Sequence, residues 1–144
     1  MIGLLVALVG QAWADDKLVR QYAGKIVISP DPIPTVEADL ATFVKLNAAK
    51  DGRYELTKSP PWEIHLLGFL SKEPGAAEVS LVFAELGDPK LAAFHTMQVA
   101  VTRRIVNANA KVTIAAGFQA GKTYVLRLMR NKTVFAKAEL TLRD

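Results

Sequence analysis

The chain contains no cysteine. That absence excludes disulfides, thiol catalysis, thiolate metal sites and a lipid-modified N-terminal cysteine together. Histidine is nearly as scarce, with only His65 and His95, and aromatic residues make up 8% of the chain. No apolar run reaches the roughly 20 residues that a membrane-spanning helix needs. No internal repeat is present, and no helix is expected to exceed a turn or two. What remains is ordinary globular composition: 144 residues, 51% hydrophobic and 22% charged. That is one domain by length, large enough to bury a core without metals or staples.

Charge is spread unevenly. The net charge is +4, but residues 15–93 carry nine basic and twelve acidic side chains, whereas residues 94–144 carry nine basic and only two acidic. Such asymmetry can mark an anionic partner. It can equally place a basic part of the fold beside an acidic one, because the basic residues fall singly along alternating runs.

The first residues read as an export signal. Ile2 to Gly10 is a short apolar run, and Ala12 and Ala14 supply the small-residue cleavage pattern ahead of Asp15-Asp16. Residues 1–14 are therefore expected to be removed, leaving a single domain at 15–144 in the periplasm or outside a bacterial cell. The usual basic leader is missing from this run.

Beyond it the chain reads as short strands separated by turn residues. Ala23–Ser29 is β-branched and is followed by three prolines within Pro30–Pro34, which end any ladder. Thr35–Asn47 fits both periods: Val36, Leu40, Phe43 and Val44 share a helical face, while Val36 through Leu46 alternate as a strand. The longer alternation, with Lys50-Asp51-Gly52-Arg53 as a hairpin turn into Tyr54–Leu56, favours a strand. Trp62–Leu70 and Glu78–Ala84 are nearly continuous apolar runs, separated by Lys72-Glu73-Pro74-Gly75 in a type II turn. Asp88 and Pro89 could open one helical turn. Thr96–Arg103 alternates, Asn107–Ala110 reads as a turn, and Val112–Ala115 as a short strand.

Ala116-x4-Gly121-Lys122-Thr123 matches a relaxed nucleotide-binding P-loop. A P-loop feeds a helix, whose N-terminus helps to hold the phosphates. Here two alternating runs follow instead, from Tyr124 to Met129 and from Val134 to Leu142, around Asn131-Lys132. That pattern is a β-hairpin, so nucleotide binding is not expected.

The same residues resemble another feature. Phe118-x-x-Gly121-x-x-Tyr124, ahead of a closing hairpin, is similar to the E–F corner of immunoglobulin-like and fibronectin type III domains. The resemblance implies an inward tyrosine that bonds the backbone just upstream. It makes runs 62–70, 78–84, 96–103, 112–115, 123–130 and 133–142 strands B to G, with 36–46 as strand A and 23–29 as an extra strand. Trp62, Phe118, Gly121 and Tyr124 then become structural residues. The implied fold is an all-β, immunoglobulin-like β-sandwich of two antiparallel sheets with seven to nine strands.

Chemistry-bearing constellations are sparse. Glu63 and His65 project from one strand face, and His95 with Asp88 lies elsewhere, a thin basis for a metal site without motif spacing. No serine sits in a nucleophile context, and no catalytic residue or cofactor is expected. Arg103, Arg104, Arg127, Arg130, Lys132, Lys137 and Arg143 could form a basic face, centred on Arg127, Lys137 and Arg143. Without interleaved aromatics that face does not read as nucleic-acid binding; an envelope protein or an anionic polymer fits it better. Leu67 and Phe69 lie opposite Ile64 and Leu66, so both faces of that strand need cover, for which the segment 23–58 is the natural source. The sequence thus predicts an exported, non-enzymatic binding or structural module, with a small metal-dependent enzyme or a strand-exchanging assembly subunit as the alternatives.

Overall fold

A computed structural model describes residues 16–144. The expected export signal and its cleavage point before Asp15 lie outside these residues. The described chain is an all-β sandwich with two short helices against one face.

A helical segment at residues 16–22 (α1) leads into β1 (Ile26–Ser29), α2 (Glu37–Asn47) and β2 (Arg53–Thr57). Six further strands follow: β3 (Trp62–Phe69), β4 (Glu78–Glu85), β5 (His95–Ala100), β6 (Ile105–Val112), β7 (Thr123–Arg130) and β8 (Thr133–Arg143). The smaller sheet has the order β1-β3-β6 and the larger β2-β8-β7-β4-β5. Every pairing between these strands is antiparallel except β2 with β8, which run parallel.

Strand alternation builds the core between the sheets. Trp62, Ile64 and Leu66 of β3 meet Leu81 and Phe83 of β4 and Tyr124, Leu126 and Leu128 of β7, all fully buried. Each such side chain is worth about 1.5–3 kcal/mol relative to exposure, so this layer dominates the fold. Gly68 continues the inward row of β3, and a Cβ there would overlap the Leu128 side chain. The glycine lets the two sheets close.

Leu67 and Phe69 face the other way and are equally buried. They pack with Leu18 and Val19 of α1, Val27 of β1 and Val44 of α2, with Tyr22, Leu40 and Phe43 around them. The N-terminal part of the chain therefore covers the outward face of the smaller sheet, at least partly from within 23–58.

Several local readings are corrected. Residues 37–47 form a helix, not strand A. Leu40, Phe43 and Val44 recur at helical spacing and find the apolar surface of Val27, Leu67 and Phe69, whereas Val36 and Leu46, which the strand reading needed on its apolar face, are 58% and 78% exposed. Tertiary packing decides between the two periods, against the longer alternation. The turn at residues 49–52 accordingly joins a helix to β2, which pairs with β8 rather than in a local hairpin.

Asn107–Ala110 is not a turn but the middle of β6. Val106, Ala108, Ala110 and Val112 face the core while Asn107, Asn109 and Lys111 alternate with them, and an edge strand tolerates asparagine on its outward face. Residues 113–117 are then a turn rather than a strand, closed by the Ala116 amide on Thr113 Oγ1 at 3.1 Å. Asp88 opens no helix. Its carboxylate accepts the amides of Lys90 (3.0 Å) and Ala92 (3.1 Å), holding an irregular loop.

Finally, a register shift in the β7–β8 hairpin leaves Phe135 unpaired between Leu128↔Ala136 and Met129↔Val134. This bulge turns Phe135 inward, at 4% exposed, and Val134 outward, at 40%, reversing the alternation expected at the start of β8.

Candidate binding surface

The helices cover the outward face of the smaller sheet, and the outward face of the larger sheet carries a trough. Its floor is β7 and β8, where Val125 pairs with Glu139 and Arg127 with Lys137. One wall is the loop after β4, with Leu86 and Leu91. The other is formed by Gly24 and by Asp51-Gly52, which meet β8 where Lys137 N donates to Gly24 O (3.3 Å) and Glu139 N to Gly52 O (2.8 Å). Both glycines have positive φ, 83° and 69°, and a Cβ on either would meet nothing within 4 Å. Ser71 and Val134 close one end. The open trough has a volume of about 740 Å³, within the range of small-molecule sites.

The lining carries two cations, Arg127 and Lys137, and two carboxylates, Asp51 and Glu139. Arg127 Nη2 donates to Leu91 O at 2.7 Å and so fastens the wall to the floor. Its Nε is buried with no hydrogen-bond partner, the one such side-chain atom among the described residues. Neither Arg127 nor Lys137 has a carboxylate within 4.0 Å among the described residues. Lys137 lies directly opposite Arg127, and Lys25 is bridged to Lys137 from the other side. The two acidic groups of the lining are turned to Arg53: Glu139 pairs with its Nε at 3.9 Å, and Asp51 accepts its amide at 3.0 Å.

Of the predicted basic face, the structure thus brings Arg127 and Lys137 together. Arg143, on β8 farther along, is engaged by Glu55 at 2.6 Å. Arg103 and Arg104 form the turn between β5 and β6, both with positive φ (53° and 65°), and Arg104 holds Leu70 O through Nε and Nη2. Arg130 binds Pro74 O at 2.8 Å. Lys132 lies in the β7–β8 turn.

The residues once considered for metal are divided. Glu63 and His65 sit on the outward side of β3, with 3.7 Å between carboxylate and Nε2. His95 starts β5 in the other sheet, its ring edge-on to Phe83 and Phe118 at 5.7 and 5.6 Å. Asp88 is occupied by loop amides. Among the described residues no group of three or more His, Cys, Asp or Glu could hold a metal ion.

The segment that mimics a P-loop is an architectural corner. Thr123 begins strand β7, where a P-loop would begin a helix, and the Lys122 ammonium pairs with Glu85 at 3.2 Å. Gly121, at φ 83°, donates its amide to Leu142 O. Tyr124 is fully buried, and its phenol oxygen accepts the Gln119 amide at 2.8 Å. Phe118 packs against Tyr124, Phe83 and Phe94 with ring centroids 4.8 to 5.3 Å apart. Trp62 is buried at the head of β3, and its indole N–H donates to Arg143 O at 3.0 Å, tying the two sheets. Tyr54 repeats the tyrosine geometry on β2, accepting the Ala49 amide at 3.0 Å. Burial pushes its pKa above the ordinary value, the Asp51 charge adds to that shift, and the Ala49 hydrogen bond partly opposes it.

Sequence reasoning missed the walls of the trough. Gly24, Gly52, Leu86 and Leu91 are scattered over the first two-thirds of the chain, and nothing local marks them as neighbours of Arg127. No family model matches the chain, and neither curated proteins nor solved structures yield a match. No helix among the described residues is long and apolar enough to cross a membrane.

Proposed function

We propose that this protein is an exported, non-enzymatic β-sandwich of immunoglobulin-like type that serves as a binding module of the bacterial cell envelope. The observation that carries the binding role is the contrast between the two outward faces. One is sealed by α1 and α2, while the other keeps a walled trough with apolar surfaces and two cations lacking acidic partners. A site of that size with few convergent polar groups is the usual form of a ligand pocket.

The immunoglobulin-like assignment is supported by strand order. With β1, β3 and β6 as strands A, B and E, and β8, β7, β4 and β5 as G, F, C and C′, the sheets follow the A-B-E and G-F-C arrangement of that architecture. The lettering differs from the sequence reading, since 95–100 joins the larger sheet and 105–112 pairs with strand B. Strand β2 is added beside G. Fold alone does not give a ligand, so the functional reading rests on the trough. Export rests on the apolar run and the A-x-A pattern of residues 1–14.

Fractionation of the native cell, with mass spectrometry of the mature N-terminus, tests export: envelope recovery with Asp15 first is expected, and a cytoplasmic protein retaining Met1 would refute it. Photo-crosslinkers placed at Leu86 and Val134 test the binding role, with one at exposed Leu46 on the helical side as control. Envelope components should crosslink at the trough positions and not at Leu46; equal yields at all three would defeat the reading.

One observation favours a second reading, a strand-exchanging assembly subunit. Strand β5 is an edge of the larger sheet, and its sequence HTMQVA has no lysine, proline or bulge to blunt pairing. Discrete oligomers in gel filtration would support it, and a strictly monomeric profile would count against it.

A further inference from the structure

We infer that the trough on the larger sheet is a site for a small amphiphilic carboxylate, its headgroup held by Arg127 and Lys137 and its apolar body lying along Val125 towards Leu86 and Leu91. The inference rests on the binding-module reading and names the ligand class of the same site.

The headgroup follows from charge. Like charges directly opposite each other on neighbouring strands destabilise a sheet. Here Arg127 faces Lys137 across the ladder, with Lys25 bridged to Lys137 on its far side. Neither acidic residue of the lining pairs with Arg127 or Lys137: Glu139 lies 3.9 Å from Arg53 Nε, and Asp51 accepts the Arg53 backbone amide. Arg127 uses one N–H on Leu91 O and has its Nε buried without a partner. A carboxylate at this pair would replace mutual repulsion with charge-assisted hydrogen bonds, among the stronger polar contacts available.

The body follows from the lining. Val125 faces outward on β7 yet is only 7% exposed, while Leu86 is 47% exposed at the wall above it. Val125 lies two residues from Arg127, about 7 Å at about 3.4 Å per residue. A short aliphatic chain attached to a carboxylate at Arg127 therefore reaches Val125 and the Leu86 side chain. The glycine wall at Gly24 and Gly52 leaves room for the headgroup, since no side chain projects from either. The size of the trough suits a small molecule.

The test is a titration of the 15N-labelled 144-residue chain with octanoate, octanol and acetate, followed by NMR. Octanoate is expected to shift the Arg127 Nε–H resonance and the Val125 and Lys137 amides saturably. Octanol and acetate should each bind at least about tenfold more weakly, the equivalent of losing one good charge-assisted or apolar contact. Lys137→Met, which keeps the aliphatic stem of an exposed residue, should weaken octanoate about tenfold, and Arg127→Met should do the same. Arg127 also fastens Leu91, so if Arg127→Met perturbs the fold, Lys137→Met decides. Equal affinity for octanol and octanoate, shifts confined to another surface, or full affinity in Lys137→Met would overturn the assignment. Absence of octanoate binding with crosslinking still confined to the trough would sink the carboxylate and leave the binding module standing. Octanoate binding without trough-specific crosslinking would keep the trough as a small-molecule site and remove a large envelope component as its occupant.

Discussion

The phenol oxygen of Tyr124 accepts the backbone amide of Gln119, five residues upstream, at 2.8 Å, and the ring beneath it is fully buried. The bond ties the loop that carries Phe118 to the start of β7, where the chain passes from one sheet to the other. Tyr54 makes the same five-residue contact with Ala49 between α2 and β2. Phenylalanine at 124 keeps the ring and deletes the bond. Tyr124→Phe should cost about 0.5–1.5 kcal/mol, the net contribution of a typical intramolecular hydrogen bond, seen as a lower urea midpoint at unchanged m-value. No loss of stability would show that the corner is held by packing alone.

Tyr54 predicts a pH effect of definite sign. Its folded pKa is raised, first by burial, so the folded state keeps its proton to higher pH than the unfolded chain does. Stability from this group is complete below the ordinary tyrosine value of about 10 and declines as pH rises beyond it, because the unfolded state then binds fewer protons. Urea midpoints between pH 8 and 11 should fall more steeply for the parent chain than for Tyr54→Phe. Identical slopes would remove Tyr54 from the account.

Gly68 and Leu128 are coupled across the core. Gly68→Ala forces a methyl into the Leu128 side chain, and overpacking of this kind costs about 1–3 kcal/mol. Leu128→Ala alone should cost about 2–5 kcal/mol by leaving a cavity. The double variant should be more stable than the sum of the two losses, by more than the few tenths of a kcal/mol that independent sites show. Strict additivity would mean that the sheets adjust elsewhere.

The helical assignment of residues 37–47 is testable with two residues, two positions apart. Val44 is fully buried against the outward face of the smaller sheet, and Leu46 is 78% exposed. Val44→Ala should destabilise by about 1–3 kcal/mol, a typical core loss, while Leu46→Lys should stay within about 0.5 kcal/mol. On a strand these two side chains would share a face and respond alike. Thermal or urea unfolding of both variants separates the outcomes.

Much of the fold was legible because strands write themselves locally. The apolar runs of β3 and β4, the hairpin of β7 and β8, and the Phe118-Gly121-Tyr124 spacing all show in a window of ten residues or so. Residues 37–47 were misread because their apolar side chains satisfy both periods at once; only the surface of Val27, Leu67 and Phe69 distinguishes them. Strand β6 was hidden by its asparagines, which alternate with small core residues and imitate turn composition. The bulge at Phe135 leaves no local mark, since one extra residue in a ladder is defined only by the partner strand.

The candidate site divides in the same way. Sequence alone determined that Arg127 and Lys137 belong to a closing hairpin, that cysteine chemistry is excluded, and that both faces of β3 need cover. Burial and alternation are properties of neighbouring residues, so a single chain records them. Only the tertiary structure decided that α1 and α2 supply that cover. It alone brought Gly24, Gly52, Leu86 and Leu91 around Arg127, and set Glu139 beside Arg53 rather than against Arg127 or Lys137. Those relations join segments far apart in the chain, such as Gly24 and Arg127, and the register of β8 against its neighbours creates them.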